Sequence, residues 1–198
     1  LAGTSAMAPA VPNATAAEVK AMSGLWFNPE EPGLFELAWK NDEPTVTMNG
    51  MPFALARRSD GWLAAEAGAL EFALKPLRAG AVRVDHGAGR IVTYRKLGKR
   101  KTVPAAIEGV YSSPDSGAVW HVRRGGRDFT IAASGPLVGG GAPWTINGLD
   151  GDTIEIVSPP GWIQATQLAH LVRDLAGKVT ALVVSTGRIK KMRFERTG

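Results

Sequence analysis

Apolar and polar residues alternate in short bursts along this chain. LFELAWK (34–40) sets Phe35 and Leu37 against Glu36, and AVWHVRR (118–124) sets Trp120 and Val122 against Val119 and His121. A period of two predicts strands, because successive side chains leave a strand on opposite faces. The same reading yields LWFN, LFELAWK, TVTMN, PFALARR, WLAAEA, LEFALKP, AVRVDH and RIVTYRK between residues 25 and 96. It then yields VYSS, AVWHVRR, DFTIAA, WTINGL, TIEIVS, QLAHLVRD, VTALVVS and RIKKMRFER between 110 and 196. Turn pairs punctuate them: Asn49-Gly50, Asp60-Gly61, Ala79-Gly80, His86-Gly87, Asn147-Gly148 and Ala176-Gly177. Gly, Pro and β-branched residues interrupt any helical pattern except in TAAEVKAM (15–22).

The pattern is written twice. MSGLWFNPEEPGLFELAWKNDEPTVTMNG starts at Met22, and IEGVYSSPDSGAVWHVRRGGRDFTIAASG starts at Ile107. A displacement of 85 positions carries Gly24 onto Gly109, Trp26 onto Tyr111, Phe35 onto Trp120, Val46 onto Ile131 and Gly50 onto Gly135. Pro52-Phe53 meets Pro143-Trp144 at 91, and GRIVTYRK meets GRIKKMRF at 98, which makes the second copy 13 residues longer. The extra length falls in two loops, GPLVGGGAPW (135–144) and SPPGWIQAT (158–166). Added loop length costs little free energy, so such extensions can be kept for a task. Each copy has eight short strands at a spacing that suits a small antiparallel barrel. The fold class is therefore all-β: two tandem eight-stranded barrels, lipocalin-like in their meander but small enough for side chains to fill. Residues 1–21 read as a linker, 22–97 as the first barrel, 98–106 as a connector and 107–196 as the second barrel.

Composition narrows the function classes. With 44% apolar and 21% charged residues, the chain is an ordinary globular one. It has no cysteine, which excludes disulfides and thiolate zinc sites. No apolar run reaches the ~20 residues of a membrane-spanning helix, so no membrane partner is expected. The first residues lack the positive n-region of a signal peptide. The net charge of +5 gathers in GKRK (98–101), RRGGR (123–127) and GRIKKMRFER (187–196). Such clusters can bind nucleic acid, but alternating basic residues on exposed strand faces are the plainer account.

No catalytic constellation emerges. None of the nine serines has a lysine three residues later, neither Tyr94 nor Tyr111 opens a Tyr-x-Asn, and Gly-x-Ser-x-Gly is absent. His86, His121 and His170 lack a second histidine at ligand spacing, so no metal or other cofactor is expected. Asp150 and Asp152 in GLDGD read as a polar hairpin turn rather than a calcium loop. The stretch GPLVGGGAPW holds four glycines, but no Lys-Ser or Lys-Thr pair follows them. A strand comes next instead of a helix, so it is not a phosphate cradle.

GLWFNPEEPGLFEL, GVYSSPDSGAVWHV and GKVTALVVSTGRIKKMRFER resemble the two C-terminal barrel domains of the D-aminopeptidases, within the penicillin-recognising serine peptidase family. The resemblance covers about residues 20–196. It implies a parent reaction that releases N-terminal D-amino acids from peptides and amides, performed by an N-terminal catalytic serine-hydrolase domain. In that family the barrels hold no catalytic group, and a loop of the last barrel reaches the catalytic cleft and restricts what enters. The expected gating residues are Pro159, Pro160, Gly161 and Trp162 in one extension and Gly139, Gly140, Gly141 and Trp144 in the other. SPPGWIQ is favoured as the wedge, because its prolines lower the entropy lost on ordering. The expected partner is the catalytic domain; a homodimer is compatible with this, and a cytoplasmic location is favoured. The rival expectation is a free-standing binding module for a small ligand or nucleic acid.

Overall fold

The computed structural model describes residues 12–28, 33–65, 71–78, 80–87, 89–136, 141–159, 167–186 and 191–198. Among these residues one α-helix, α1, spans Ala16–Met22, as the sequence pattern expects. Seven residues are too few to hold a helix alone. Here the first turn is fastened by a capping box, in which the Thr15 hydroxyl accepts from the Glu18 amide at 3.3 Å. The Glu18 carboxylate accepts in return from the Thr15 amide at 2.7 Å. Arg57 adds an ion pair to Glu18 at 2.9 Å. Together these hold the Glu18 carboxyl at about 2, well below its usual 4.5; the Thr15 amide bond is the main cause and Arg57 the next. Val19 is buried beneath the helix.

The rest is strand. β1 (Gly24–Asn28), β2 (Gly33–Lys40), β3 (Glu43–Met48), β4 (Met51–Arg57), β5 (Leu63–Ala65), β6 (Ala73–Arg78), β7 (Ala81–Asp85) and β8 (Ile91–Lys96) close into one antiparallel barrel in chain order. A one-turn 3₁₀ helix follows at Ala105–Ile107. β9 (Gly109–Ser113), β10 (Ala118–Gly125), β11 (Asp128–Ser134), β12 (Trp144–Asp150), β13 (Thr153–Val157), β14 (Gln167–Arg173), β15 (Val179–Ser185) and β16 (Met192–Arg196) close into a second. By Cα proximity the chain divides into one unit of residues 1–24 with 36–95 and another of 25–35 with 96–198.

Both barrels bury the residues that the period of two points inward. In the first these include Leu37, Val46, Leu55, Leu63, Leu74, Val82, Val84 and Tyr94. In the second the core gathers Tyr111, Trp120, Val122, Ile131, Ile146, Ile154, Ile156, Leu182, Val184 and Phe194. Phe194 stacks on Trp120 with ring centroids 4.0 Å apart, which plugs the interior with aromatic surface. Tyr111 donates its hydroxyl to the Ile107 carbonyl at 2.7 Å, so its one polar atom is satisfied inside the core.

Turn chemistry follows the sequence at Asn49-Gly50, where both residues have positive φ (50° and 76°) and join β3 to β4. Asn41 and Asp42 (φ 50° and 61°) make an equivalent turn between β2 and β3 without a glycine. Asn147-Gly148 departs from expectation. It is no turn; both residues pair within the ladder of β12 and β13.

Strand register also corrects the repeat. Val46 pairs with Phe53 seven positions on, and Ile131 pairs with Trp144 thirteen on, which fixes the first extension between β11 and β12. Ala64 pairs with Ala73 nine on, and Glu155 with Leu168 thirteen on. The second extension is therefore shorter than the aligned sequences suggest. Leu74 pairs with Val84 ten on, but Ala169 pairs with Val184 fifteen on. The hairpin of β14 and β15 thus carries a third extension. The last strands match at a displacement of 100, Tyr94 onto Phe194, rather than at 98. A slip of two leaves every side chain on its own face, so the hydrophobic pattern could not reveal it.

Candidate functional site

In an up-and-down barrel alternate connections fall on opposite rims. The connections after β9, β11, β13 and β15 share one rim of the second barrel, and those after β10, β12 and β14 share the other. Both extensions expected from the sequence therefore rise from the same rim. At the base of the first, Gly135 (φ 142°) passes so close to the turn before β10 that a Cβ there would lie 2.9 Å from the Gly117 carbonyl oxygen. The glycine at the foot of this loop serves close backbone approach. Trp144 opens β12 half-buried, its ring 6.3 Å from that of Trp120. Gly141 is exposed, and Pro159 is buried just past β13. Gly139, Gly140, Pro160, Gly161 and Trp162 lie outside the described residues. Ser113, the last residue of β9, is buried at this rim and its hydroxyl has no hydrogen-bond partner among the described residues.

The polar residues that looked like candidate chemistry serve the fold. Asp150 and Asp152 flank the turn from β12 to β13, and Asp152 accepts from Arg173 at 2.7 Å. His121 sits half-exposed between buried Trp120 and Val122, and His170 is exposed. His86 lies 3.0 Å from the Tyr94 hydroxyl through Nε2. The Ser23 and Ser134 hydroxyls donate to backbone carbonyls, while those of Ser116 and Ser185 accept from backbone amides.

The opposite rim holds a feature that motif reasoning missed. The connector runs back across β12, where its Lys101 amide donates to the Leu149 carbonyl at 3.2 Å. A Cβ on Gly148 would lie 2.0 Å from the Lys101 carbonyl oxygen, so only glycine permits this crossing. Arg100 then donates to Glu155 at 2.9 Å, and the Asn147 amide donates to the same carboxylate oxygen at 3.3 Å. Between the connector, the β10–β11 hairpin and β12 lies a cleft of about 400 Å³. Arg100, Lys101, Arg124 and Arg127 line it, with Asp128 the one acid on its wall. The signals were the glycine inside WTINGL and the proximity of GKRK to RRGGR across the fold. The first is ambiguous with a turn, and the second needs the barrel to be closed.

The sequence matches no protein-family model and no curated protein.

Proposed function

We propose that the chain is a non-catalytic accessory module that shapes substrate access to a serine-hydrolase domain of the D-aminopeptidase type. The parent reaction on this reading is the release of N-terminal D-amino acids from peptides and amides. The observation that carries it is that the two extensions expected from the sequence leave from one rim of a barrel whose interior is filled by Trp120, Phe194 and their neighbours. A filled barrel offers no internal substrate cavity, so its variable surface is the rim. The Ser113 hydroxyl at that rim, without a partner among the described residues, supports the same reading, since a buried polar group gains from any donor or acceptor that closes over it.

The test joins this chain to a serine aminopeptidase catalytic domain and measures kcat/KM on D-alanine amide and on longer D-residue peptides. The expected result is no turnover by the chain alone and a narrowed substrate range in the fusion. Trimming residues 137–142 or 160–165 should widen that range again. Turnover by the isolated chain through an essential serine, or a fusion indifferent to both trimmed loops, would overturn the proposal.

A further inference from the structure

The cleft on the connector rim is at the other end of the second barrel from the extensions, so a role for it is independent of substrate gating. Four cationic side chains and one carboxylate line it, with Phe129, Ile146 and Val103 supplying apolar wall and Thr102 and Asn147 supplying neutral polar groups. Each cation is placed differently. Arg100 is anchored to Glu155, a carboxylate whose side chain is only 10% exposed. Arg124 donates through Nε to the Gly126 carbonyl at 3.1 Å and lies 5.9 Å from the Phe129 ring centroid. Neither the Lys101 ammonium nor the Arg127 guanidinium has a hydrogen-bond or ion-pair partner among the described residues. Beyond Asp128, Glu155 sits behind Arg100 and Asn147, and the Glu108 carboxylate accepts from the Arg124 backbone amide at 3.5 Å.

Like charges repel, so cations gathered around one volume cost stability unless an anion sits between them. Two other arginines of the described residues are each engaged by an acid close in sequence. Arg193, in the basic C-terminal stretch, is engaged by Glu195 on its own strand, and Arg58 by Asp60. The charge in the cleft is convergent, not a track along a face, which disfavours a nucleic-acid backbone. Arginine forks beside a lysine point charge suit phosphate oxygens. A volume near 400 Å³ with one apolar wall suits a small organic body attached to them. The geometry points to a binding site for a phosphorylated small molecule, its phosphates held by Lys101 and Arg127 with Arg100 and Arg124 behind them.

Isothermal titration calorimetry of the whole chain with inorganic pyrophosphate and with ATP, at low and at physiological salt, tests this. Binding of either probe is expected, weakened by salt. Lys101→Ala and Arg127→Ala should each weaken it by about tenfold, which is the scale of losing one charge-assisted bond. Arg127→Lys should retain most of the affinity, and Arg193→Ala should change nothing. Preference for ATP would assign the apolar wall to the organic body, and equal affinity for pyrophosphate would assign recognition to the phosphates alone; both support the site. Both key residues lie at the surface, so thermal melting should show the variants folded. Failure of both probes to bind, or equal weakening by Arg193→Ala, overturns the inference. So would a single-stranded oligonucleotide that binds more tightly than either probe and is insensitive to Lys101 and Arg127.

Discussion

Leu55, Leu63, Leu74, Val84 and Tyr94 in the first barrel hold the places of Ile146, Ile154, Ala169, Val184 and Phe194 in the second, and all are buried. The rims diverge as far as the cores agree. Where the first barrel turns in two residues at Asn49-Gly50, the second inserts residues 135–143. Where the first crosses from β6 to β7 through a tight turn at Gly80, the second builds a hairpin tied by Arg173, Asp174 and Gly177. The inward face is set by close packing, where one misplaced methylene is felt. The hairpins answer only to chain closure, whose cost rises slowly with length. Function can therefore enter at the rims without disturbing the core.

The most damaging way to probe the shared core is Phe194→Ala. It removes the ring stacked on Trp120 and leaves a void that the closed barrel cannot collapse, at a cost of about 3–5 kcal/mol. Hydrogen exchange over β9–β16 should show the loss as a general fall in protection. The matching change, Tyr94→Phe, keeps the ring and deletes only the hydroxyl near His86 Nε2, so about 1 kcal/mol is expected over β6–β8. A loss from Phe194→Ala no larger than that from Tyr94→Phe would deny that the Phe194 ring fills the core.

Gly148 sharpens the contrast between the barrels. Its counterpart in the first is Arg57, a residue with a long side chain, whose backbone amide donates to the Asn13 side chain in the segment before α1. Gly148→Ala must push the Lys101 backbone aside and is expected to cost about 2 kcal/mol. It should also loosen the Arg100–Glu155 pair, read as faster exchange at the Lys101 amide. Arg57→Ala should cost less, because it removes a half-buried pair with Glu18 without displacing backbone.

Much of the fold was legible in the sequence, for physical reasons that particular residues expose. Trp120 and Val122 against His121 announce a strand, and the closed barrels follow from eight such strands with turn residues between them. Asn147-Gly148 misled because the same two letters serve a hairpin and a close backbone crossing, and only the presence of Lys101 above Gly148 distinguishes them. The third extension was hidden because RIVTYRK and RIKKMRF align well two residues out of register, with every face preserved. The cleft was invisible because GKRK with Lys101, RRGGR with Arg127, and the distant Glu155 are brought together only by the closed barrel.

Tyr111 stands where the first barrel has Trp26, so the second barrel alone carries an ionisable group at this core position. Burial pushes its phenol up from the ordinary value of 10, more than nearby Arg196 and Arg173 pull it down. The folded state therefore favours the neutral form. Its contribution is complete below pH 10 and is lost as pH rises past the unfolded value toward the folded one. Tyr111→Phe should cost about 1 kcal/mol at neutral pH through the lost bond to Ile107 and should flatten the alkaline fall in stability. Alkaline melting curves of the two proteins that run parallel would contradict this.

The smallest expected effect belongs to the helix that precedes the first barrel and has no counterpart before the second, where a single 3₁₀ turn without a side-chain cap stands instead. Glu18 titrates near 2 rather than 4.5, so its contribution is present above pH 4.5 and fades as pH falls toward 2. The carboxylate is exposed, so salt should weaken the Arg57 part of the effect more than the Thr15 bond. Glu18→Gln can keep the reciprocal cap, since a glutamine side chain also accepts from the Thr15 amide. It should therefore leave α1 folded at neutral pH and abolish the acid dependence of the Thr15 and Val19 amide signals. A carboxyl titration by NMR with a midpoint near 4.5 would show that the cap does not hold the charge, and the asymmetry between the two barrel entries would then reduce to chain length alone.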